Sequence, residues 1–468
     1  MAFKEGKWEL MCPRMTLTSG TGKIVYKGVG IIRQSPEGDI RFTIIVQKKY
    51  ADIAHMFTQT SARAGQLVPQ NELIYLIAKD NEGRVWKSES PVNYRPTVHA
   101  LKLSITIEGI TSDLVTTINS LKAVGGGIGL VGVDGKPRKQ LIYQHPSITY
   151  YVCHDLKFPA NQSTETKTTV AGKAGPTSWS LSVAKFISCG YDFLITAGKG
   201  LTRIHATCQS ISPRHMNPHT EQRLLEAFQF VLATPIQWSI CNICQGNTET
   251  IRLQTWLNGV SRHRLLPPFN WRTPEHSAIV WKLFEYYLTF VLKDKKHHIH
   301  RLSYRLQSVL HASASSWDTE LLTLGVQVEG IINDNFQTIQ LPEDDCKAIN
   351  AALSLIAEAK SNGKLTISEP VFNKIRSSLD YLKKSMKQRL KSLVADGVIH
   401  RLDVDAWDHI RNKSAHSDYE SLNVNQENLD RRLKVLCLLY SLIFSVIGYS
   451  GESIIQQLKP SEPTPSTP

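Results

Sequence analysis

The feature that most constrains the fold is a change in hydrophobic periodicity at about residue 270. Before that point, short runs rich in β-branched residues are separated by turn signals such as Ser35-Pro36-Glu37-Gly38-Asp39 and Asp80-Asn81-Glu82-Gly83. After it, apolar residues recur at helical spacing almost to the end of the chain. Such a change predicts an α+β multidomain protein, with an antiparallel sandwich- or barrel-like β half followed by an all-α bundle.

The same patterns predict individual elements and domain boundaries. The clearest strand segments are 23–34, 40–47, 72–78 and 99–108. Helices are predicted at about 219–233, 273–292, 299–312, 319–332, 344–360, 369–396, 404–415 and 426–447. We therefore predict a β-rich region over 1–212, a connecting region over 213–268 and a helical domain over 270–450. The tail 451–468 is rich in proline, serine and threonine, and we expect it to be disordered.

Composition limits the class of protein and its partners. The chain has 468 residues with 54 Lys and Arg against 41 Asp and Glu, a formal net charge of +13. This excess favours polyanionic partners, with nucleic acid ahead of a membrane surface.

The most apolar segment, 435–449, is shorter than the roughly 20 residues that span a bilayer, so no membrane association is expected. The opening residues lack the apolar run of a secretory signal, and eight scattered cysteines do not suggest a disulfide framework, so a cytoplasmic protein is predicted.

The six residues Arg411-Asn412-Lys413-Ser414-Ala415-His416 form the motif with the most chemical content. Histidine takes up or gives a proton near neutral pH. Arginine presents a planar fork of donors that fits phosphate oxygens, and asparagine offers both a donor and an acceptor. The motif is therefore suited to chemistry on a phosphodiester, with Arg411, Asn412 and His416 as the candidate catalytic residues.

Helical geometry places a condition on this motif. On an ideal helix Asn412 and His416 lie about 40° apart, whereas Arg411 and His416 lie about 140° apart. One regular helix would therefore not direct Arg411 and His416 at the same phosphate. Either the helix ends or distorts inside the motif, or a second copy of the chain supplies part of the site.

The string Ile410-Arg411-Asn412-Lys413-Ser414-Ala415-His416 resembles the Arg-Asn-x3-His signature of HEPN domains, the α-helical bundles of many prokaryotic ribonucleases. The upstream segment 321–332, with Glu329 on a small and apolar face, is similar to a helix that such families also contain. The resemblance covers about residues 270–450. A β-rich first half joined to such a domain resembles the ApeA-like group of bacterial anti-phage abortive-infection proteins.

The resemblance implies a metal-independent endoribonuclease, with no cofactor for catalysis, that acts as a homodimer pairing two Arg-x4-His motifs in one cleft. His416 would be the general base or acid, Arg411 would hold the scissile phosphate, and Asn412 would orient His416 or a phosphate oxygen. The substrate would be host or phage RNA, with tRNA as one candidate, and a phage protein binding the β half is a candidate trigger. Two alternatives remain: a non-catalytic HEPN module that binds nucleotide or RNA and regulates, and an interaction protein whose dimer interface contains the motif.

Three further groups of charged residues are open to more than one interpretation. Glu329 either pairs inside the helical core or orients Arg411. A basic stretch over 374–391 is either a solvated helix face or a track for RNA, with the candidate contacts Lys383, Lys384, Lys387, Arg389 and Lys391. A second basic stretch over 293–305 includes His297, His298 and His300, and a metal site there is a minor alternative.

Two remaining patterns have competing structural explanations. Cys241 and Cys244 have the spacing of a zinc knuckle, and a structural zinc is one hypothesis, with His215 and His219, or His205 and Cys208, as further ligands. Otherwise they are reduced cysteines on a strand and turn. The segment 127–132 matches G-x-G-x-x-G, but the residues after it do not begin a helix, so a loop or hairpin is favoured over a dinucleotide site.

Overall fold

A computed structural model describes residues 8–35, 37–47, 69–99, 104–119, 145–152, 156–170, 173–198, 201–209, 218–246, 248–256, 265–269, 274–336, 343–383, 386–415 and 425–451. The chain divides into two compact units. The first contains residues 1–228, 235–262 and 271–285, and the second contains 229–234, 263–270 and 286–468. The tail 452–468, for which we predicted disorder, lies outside the described residues.

The first unit contains an antiparallel sheet in which fifteen described strands follow one another in the order β10-β11-β12-β13-β9-β14-β15-β8-β5-β4-β1-β2-β3-β7-β6. The antiparallel β-rich first half is thus confirmed. In chain order the strands are β1 (Glu9–Ser19), β2 (Ile24–Gln34), β3 (Ile40–Gln47), β4 (Ile74–Lys79), β5 (Val85–Lys87), β6 (Asn93–His99), β7 (Ser104–Thr111), β8 (Asp113–Asn119), β9 (Ser147–Val152), β10 (Gln162–Val170), β11 (Lys173–Ser188), β12 (Tyr191–Gly198), β13 (Leu201–Cys208), β14 (Trp238–Gln245) and β15 (Thr248–Gln254).

Strand β1 shows how the sequence directs side chains into the core of this unit. Leu10 and Cys12 are buried, and so are Met15 and Leu17, although the two pairs stand at even and odd positions. The pairing register with β2 shifts between Cys12 and Met15. A bulge inserts one extra residue into a strand, so the following side chains change face and all four reach the same core.

Strands β14 and β15 belong to the sheet, which differs from the expected connecting region. β14 pairs with β9, and β15 pairs with β8. Ile240 of β14 and Leu253 of β15 are buried in the same hydrophobic core as Leu17 and Trp86. The segment 213–268 therefore supplies two strands to the first unit, although a helix at Thr220–Leu232 lies between them and β13 in the sequence.

Among the described residues, nine α-helices are found, and the eight that begin after residue 270 agree with the expected helical second half. They are α1 (Thr220–Leu232), α2 (Pro274–Val291), α3 (Arg301–Ser313), α4 (Trp317–Asn335), α5 (Glu343–Ser361), α6 (Glu369–Lys383), α7 (Met386–Ala395), α8 (Arg401–Ala415) and α9 (Gln426–Ile447). The helix predicted over 369–396 is divided into α6 and α7. Within the described residues, no helix is both long enough and apolar enough to cross a bilayer.

Helix α4 is at the centre of the second unit, where it packs against α3, α8 and α9. Ser316 begins it with a side-chain oxygen that accepts the backbone N–H of Thr319 at 3.2 Å. The large apolar side chains of its buried face, at helical spacing, are Leu321, Leu324, Val328, Ile331 and Ile332. Side chains on the borders of this face are therefore within reach of three neighbouring helices.

Helices α5 and α6 differ from the rest of the second unit because none of their described side chains is fully buried. They contact each other, and Lys360 lies 4.6 Å from the ring centre of Phe372 while also pairing with Glu369. These two helices thus stabilise each other at the surface of the unit.

Candidate functional site

Helix α8 carries Arg411 and Asn412, the first two residues of the candidate catalytic motif. The helix presents Ala406, Trp407 and Ile410 to the core, and all three are buried. Arg411 follows Ile410 by one position, about 100° around the helix, which brings it to the border of the buried face. Burial of the apolar face thus fixes where the Arg411 side chain emerges.

Arg411 forms an ion pair with Glu329, its Nε donating to Oε1 of the carboxylate on α4. The Arg411 side chain is 43% exposed and the Glu329 side chain 26% exposed. Of the two interpretations left open for Glu329, pairing inside the core and orienting Arg411, this geometry favours the second. Because one guanidinium nitrogen is directed at the carboxylate, the plane of the group is constrained while part of it stays accessible to solvent.

Trp407 and Gly325 complete the surroundings of Arg411. The Arg411 guanidinium carbon lies 6.0 Å from the centre of the Trp407 ring, within the range of a cation–π contact. The indole Nε1 of Trp407 donates to the Gly325 carbonyl at 3.0 Å. A Cβ on Gly325 would lie 3.9 Å from the Arg411 Cα, so α4 and α8 approach each other closely at this point. Sequence reasoning missed both residues, although Trp407 stands four positions before Arg411 and Gly325 four before Glu329, the spacing of one helix face.

Asn412 is tied back into its own helix, since its Nδ2 donates to Asp408 Oδ1 at 3.3 Å. Helix α8 runs on to Ala415, so Arg411 and Asn412 keep the roughly 100° separation of a regular helix. His416, the third candidate catalytic residue, lies outside the described residues. The structure therefore brings Arg411 together with Glu329, and places Asn412 on an adjacent face.

A second ion pair on α4 provides a useful comparison. Glu320 accepts from Nε of Arg432 on α9 at 2.7 Å, and the Arg432 guanidinium lies 5.9 Å from the Trp317 ring centre. The composition matches the Arg411 group, with a carboxylate, an arginine and a tryptophan. The side chains of Glu320 and Arg432 are only 8% and 15% exposed, however, so this pair is enclosed between helices. Exposure rather than composition distinguishes the Arg411 site.

Of the five residues proposed as an RNA track, the structure describes the side chains of Arg389 and Lys391. Arg389 is half-buried, and its Nη1 donates to the side chain of Asn333 on α4 at 2.9 Å, so it contributes to helix packing. Lys391 is exposed. Lys383 and Lys387 lie on α6 and α7, where their side chains are not among those described, and Lys384 lies outside the described residues.

Cys241 and Cys244 lie on β14, at positions three apart on one strand. Both are buried, and successive side chains of a strand point to opposite faces, so the two thiols are directed to opposite sides of the sheet. Burial, together with the nearby charge of Glu221, raises the pKa of the Cys241 thiol well above its usual range, which disfavours the thiolate that zinc requires. This geometry argues against a zinc ion shared by the two cysteines.

Among the proposed partners of these cysteines, His205 and Cys208 lie on β13 within the described residues. The imidazole of His205 lies 2.8 Å from Thr149 Oγ1 through Nδ1 and 3.0 Å from Thr207 Oγ1 through Nε2. His215 is outside the described residues. In the part of the chain that the structure describes, no three His, Cys, Asp or Glu side chains are grouped so as to hold a metal ion. The glycine-rich segment 127–132, interpreted as a loop or hairpin, lies outside the described residues.

Comparisons with known proteins give no relative on which to base a function. No protein-family model matches the sequence, and no curated protein or solved structure matches it significantly. The functional assignment therefore depends on the residues of the site and on the resemblance of its motif.

Proposed function

We propose that the chain is a metal-independent endoribonuclease of the HEPN type that acts in anti-phage defence by abortive infection. The observation that supports this most directly is the half-exposed Arg411 held by Glu329 at the border of a helical core. An arginine fixed in orientation and open to solvent is suited to binding a phosphate from one side. Asn412, the next residue on the helix, presents its side-chain amide about 100° further around the helix axis.

In the proposed reaction the nucleophile is the ribose 2′-OH next to the scissile phosphate. His416 acts as the general base that removes the 2′ proton, or as the general acid that protonates the leaving oxygen. Arg411 stabilises the negative charge that develops on the phosphate oxygens in the transition state. The 2′ oxygen forms a bond to phosphorus as the bond to the 5′ oxygen breaks, giving a 2′,3′-cyclic phosphate and a 5′-OH. No metal ion enters this scheme.

The site is proposed to be complete only in a homodimer. Helix α8 continues to Ala415. On an ideal helix, positions 411 and 416 lie about 140° apart, so Arg411 and His416 of one chain would not reach the same phosphate. A second copy bringing its own motif into the same cleft places an arginine and a histidine from different chains on one phosphate. We further propose a cytoplasmic protein in which the β half responds to a phage-derived protein and releases the activity.

The decisive experiment incubates the purified protein with total RNA in EDTA and maps the ends of any fragments. Wild type is expected to give 2′,3′-cyclic phosphate ends, and the Arg411→Ala/His416→Ala double variant none. Arg401→Ala is the matched control, because Arg401 lies on the same helix with its side chain 84% exposed and 10 positions before Arg411. Equal cleavage by the double variant and wild type would show the assignment to be wrong.

A latent enzyme would remain silent in that assay, so expression toxicity is measured alongside it. Wild type is expected to arrest growth once triggered, whereas the double variant is not. If the protein is instead a non-catalytic HEPN module, it should bind RNA or nucleotide, and neither wild type nor the double variant should produce new RNA ends. Replacement of residues 1–265 is expected to change what activates the enzyme.

A further inference from the structure

The solvent side of the sheet in the first unit carries a group of neighbouring aliphatic side chains. Met11 of β1 pairs with Ile31 of β2, and Val29 of β2 pairs with Ile45 of β3. Met11, Val29 and Ile45 are about half exposed, and Ile31 is partly exposed. Residues two apart on a strand point to the same face, so these four side chains form one contiguous surface, the aliphatic patch.

An aliphatic patch is unusual at this position in a sheet. The alternate residues of β2 and β3, Ile32 and Ile44 among them, point into the hydrophobic core. The other face of such an antiparallel sheet is normally polar, because it meets water. Single apolar residues on a surface are ordinary, whereas contiguous ones mark a contact with another molecule. The aliphatic patch is therefore a candidate docking surface.

Three arginines lie beside the aliphatic patch. Arg33 is two positions after Ile31 on β2 and pairs directly with Arg41 of β3, while Arg95 lies on β6 opposite Glu108 of β7. The three arginines line one pocket of about 530 Å³. Its other solvent-facing side chains are Thr43, Asn93, Glu108 and Ile110. Arginine is enriched in protein–protein interfaces, where an apolar centre has a polar rim.

Two of these arginines have free donors. Within the described part of the chain, neither Arg33 nor Arg95 forms an ion pair or a hydrogen bond through its side chain. Glu9 lies opposite Arg33 on β1, and Glu108 lies opposite Arg95, but neither carboxylate is within ion-pair distance of the arginine opposite it. Each guanidinium can therefore donate two parallel hydrogen bonds to a carboxylate of a partner.

Arg33 and Arg41 are like charges placed directly opposite each other, which disfavours a strand pair unless a counter-charge lies between them. The carboxylates near Arg41 meet this need only in part. Its Nη2 lies 3.4 Å from Glu37 and 3.5 Å from Asp39, and these are weak, solvent-exposed pairs. A carboxylate from another molecule would accept from both guanidiniums and reduce their repulsion. The charge beside the aliphatic patch is thus complementary to an acidic partner.

Two other occupants match this surface less well. Sheets that bind single-stranded nucleic acid present aromatic rings on which the bases stack, whereas the rings that line this pocket, Phe42 and Tyr94, pack against the core. A second copy of this chain would bring the same arginines to the same surface across a two-fold axis, and each chain carries a net charge of +13. Both arguments favour a different, acidic protein.

We propose that this face of the first unit docks an acidic protein segment. Aliphatic side chains of the partner cover the aliphatic patch, and its carboxylates bind Arg33, Arg41 and Arg95. The inference concerns binding alone, so it does not depend on ribonuclease activity.

The test measures the fluorescence anisotropy of a labelled peptide titrated with the full-length protein at physiological salt. In this peptide, pairs of glutamates alternate with pairs of valines, so that each face of the extended chain presents both. We expect saturable binding, weakened at least about tenfold by Arg33→Ala/Arg95→Ala and by Ile45→Ser, the scale of one charge-assisted hydrogen bond or one buried aliphatic side chain. Peptides with serine in place of valine, or lysine in place of glutamate, should bind more weakly.

Each variant has a matched control in the same sheet. Lys185→Ala/Arg203→Ala removes two positive charges from exposed positions of β11 and β13, and Ile187→Ser removes an exposed aliphatic side chain from β11. Both controls should leave peptide binding unchanged. Circular dichroism verifies that all variants are folded.

Several outcomes would overturn the proposal. One is the absence of saturable binding of the glutamate–valine peptide to folded wild type, and another is an equal loss in a variant and its matched control. Equal binding of the glutamate–serine peptide would show that the aliphatic patch plays no part. Tighter binding of a short single-stranded RNA, lost in the same variants, would assign the surface to nucleic acid. A dimer that Arg33→Ala/Arg95→Ala dissociates would assign it to a second copy.

Discussion

The guanidinium of Arg411 and the carboxylate of Glu329 form an ion pair between α8 and α4 that remains partly exposed to solvent. The pair Arg432 and Glu320 joins α9 to the same helix but is enclosed. An exposed pair contributes little to stability, whereas breaking an enclosed pair leaves a charge without compensation. This difference separates a residue that is available for a ligand from one that holds helices together.

Substitution of Glu329 is expected to lower activity with little effect on stability, whereas substitution of Glu320 is expected to lower stability. Glu329→Gln should change the free energy of unfolding by less than about 1 kcal/mol, because the pair is partly hydrated. Glu320→Gln should cost about 3 kcal/mol, because Arg432 stays buried without its partner. Urea unfolding measures both. In the RNA cleavage assay Glu329→Gln should lower kcat, and equal destabilisation by the two variants would contradict this division.

Trp407 is expected to be a positioning residue for Arg411. Trp407→Phe keeps an aromatic ring below the guanidinium but removes the N–H that donates to Gly325, so we expect a loss of about 1–2 kcal/mol in stability. Under the proposed function, Trp407→Leu should lower kcat further with little change in KM. The matched control is Trp317→Phe, next to Arg432, which should affect stability without changing cleavage per folded molecule. An unchanged kcat in Trp407→Leu would show that Trp407 does not position Arg411 for catalysis.

Acid stability should depend on Asp294. Its partial burial alone would raise the pKa, but the N–H groups of Lys296 and His297 and the His297 ring outweigh this and lower the pKa from 3.8 to about 2. A carboxyl with a lowered pKa stabilises the folded state above its unfolded value, and that contribution is lost as the pH falls towards about 2. The stability difference between wild type and Asp294→Asn should therefore shrink from pH 6 to pH 3, as measured by urea unfolding. Asp405→Asn is the control, and a pH-independent difference would contradict the expectation.

The cysteines of β14 should be inert and free of metal. Cys241 is buried, and the pKa of its thiol is raised, so we expect it to react with a thiol reagent far more slowly than Cys189, which is partly exposed. We also expect less than stoichiometric zinc in the folded protein and no change of Tm with a chelator. Stoichiometric zinc whose removal lowers Tm would restore the zinc hypothesis for these residues.

Local sequence patterns predicted several elements closely. Helix α9 has the predicted bounds, Gln426–Ile447, because Asn425 caps its start and Gly448, with φ of 73°, ends it. Helix α2 begins at Pro274 as predicted, since proline is favoured in the first turn. Strands β1, β5, β6 and β8 to β14 were not identified individually from the sequence. The positions of these strands depend on pairing across the sheet rather than on a strong local pattern.

The amino-acid sequence was enough to predict that a β-rich part precedes a helical part, because hydrophobic periodicity is a local property of the chain. It also identified Arg411, Asn412 and Glu329 as residues of interest. The three-dimensional structure was needed to show that Glu329 pairs with Arg411, because the two are 82 positions apart and meet only when α4 packs against α8. It likewise directed Cys241 and Cys244 to opposite faces of β14, since the spacing of two cysteines says nothing about the strand on which they lie. Contacts between distant residues depend on packing, and packing is a property of the whole fold.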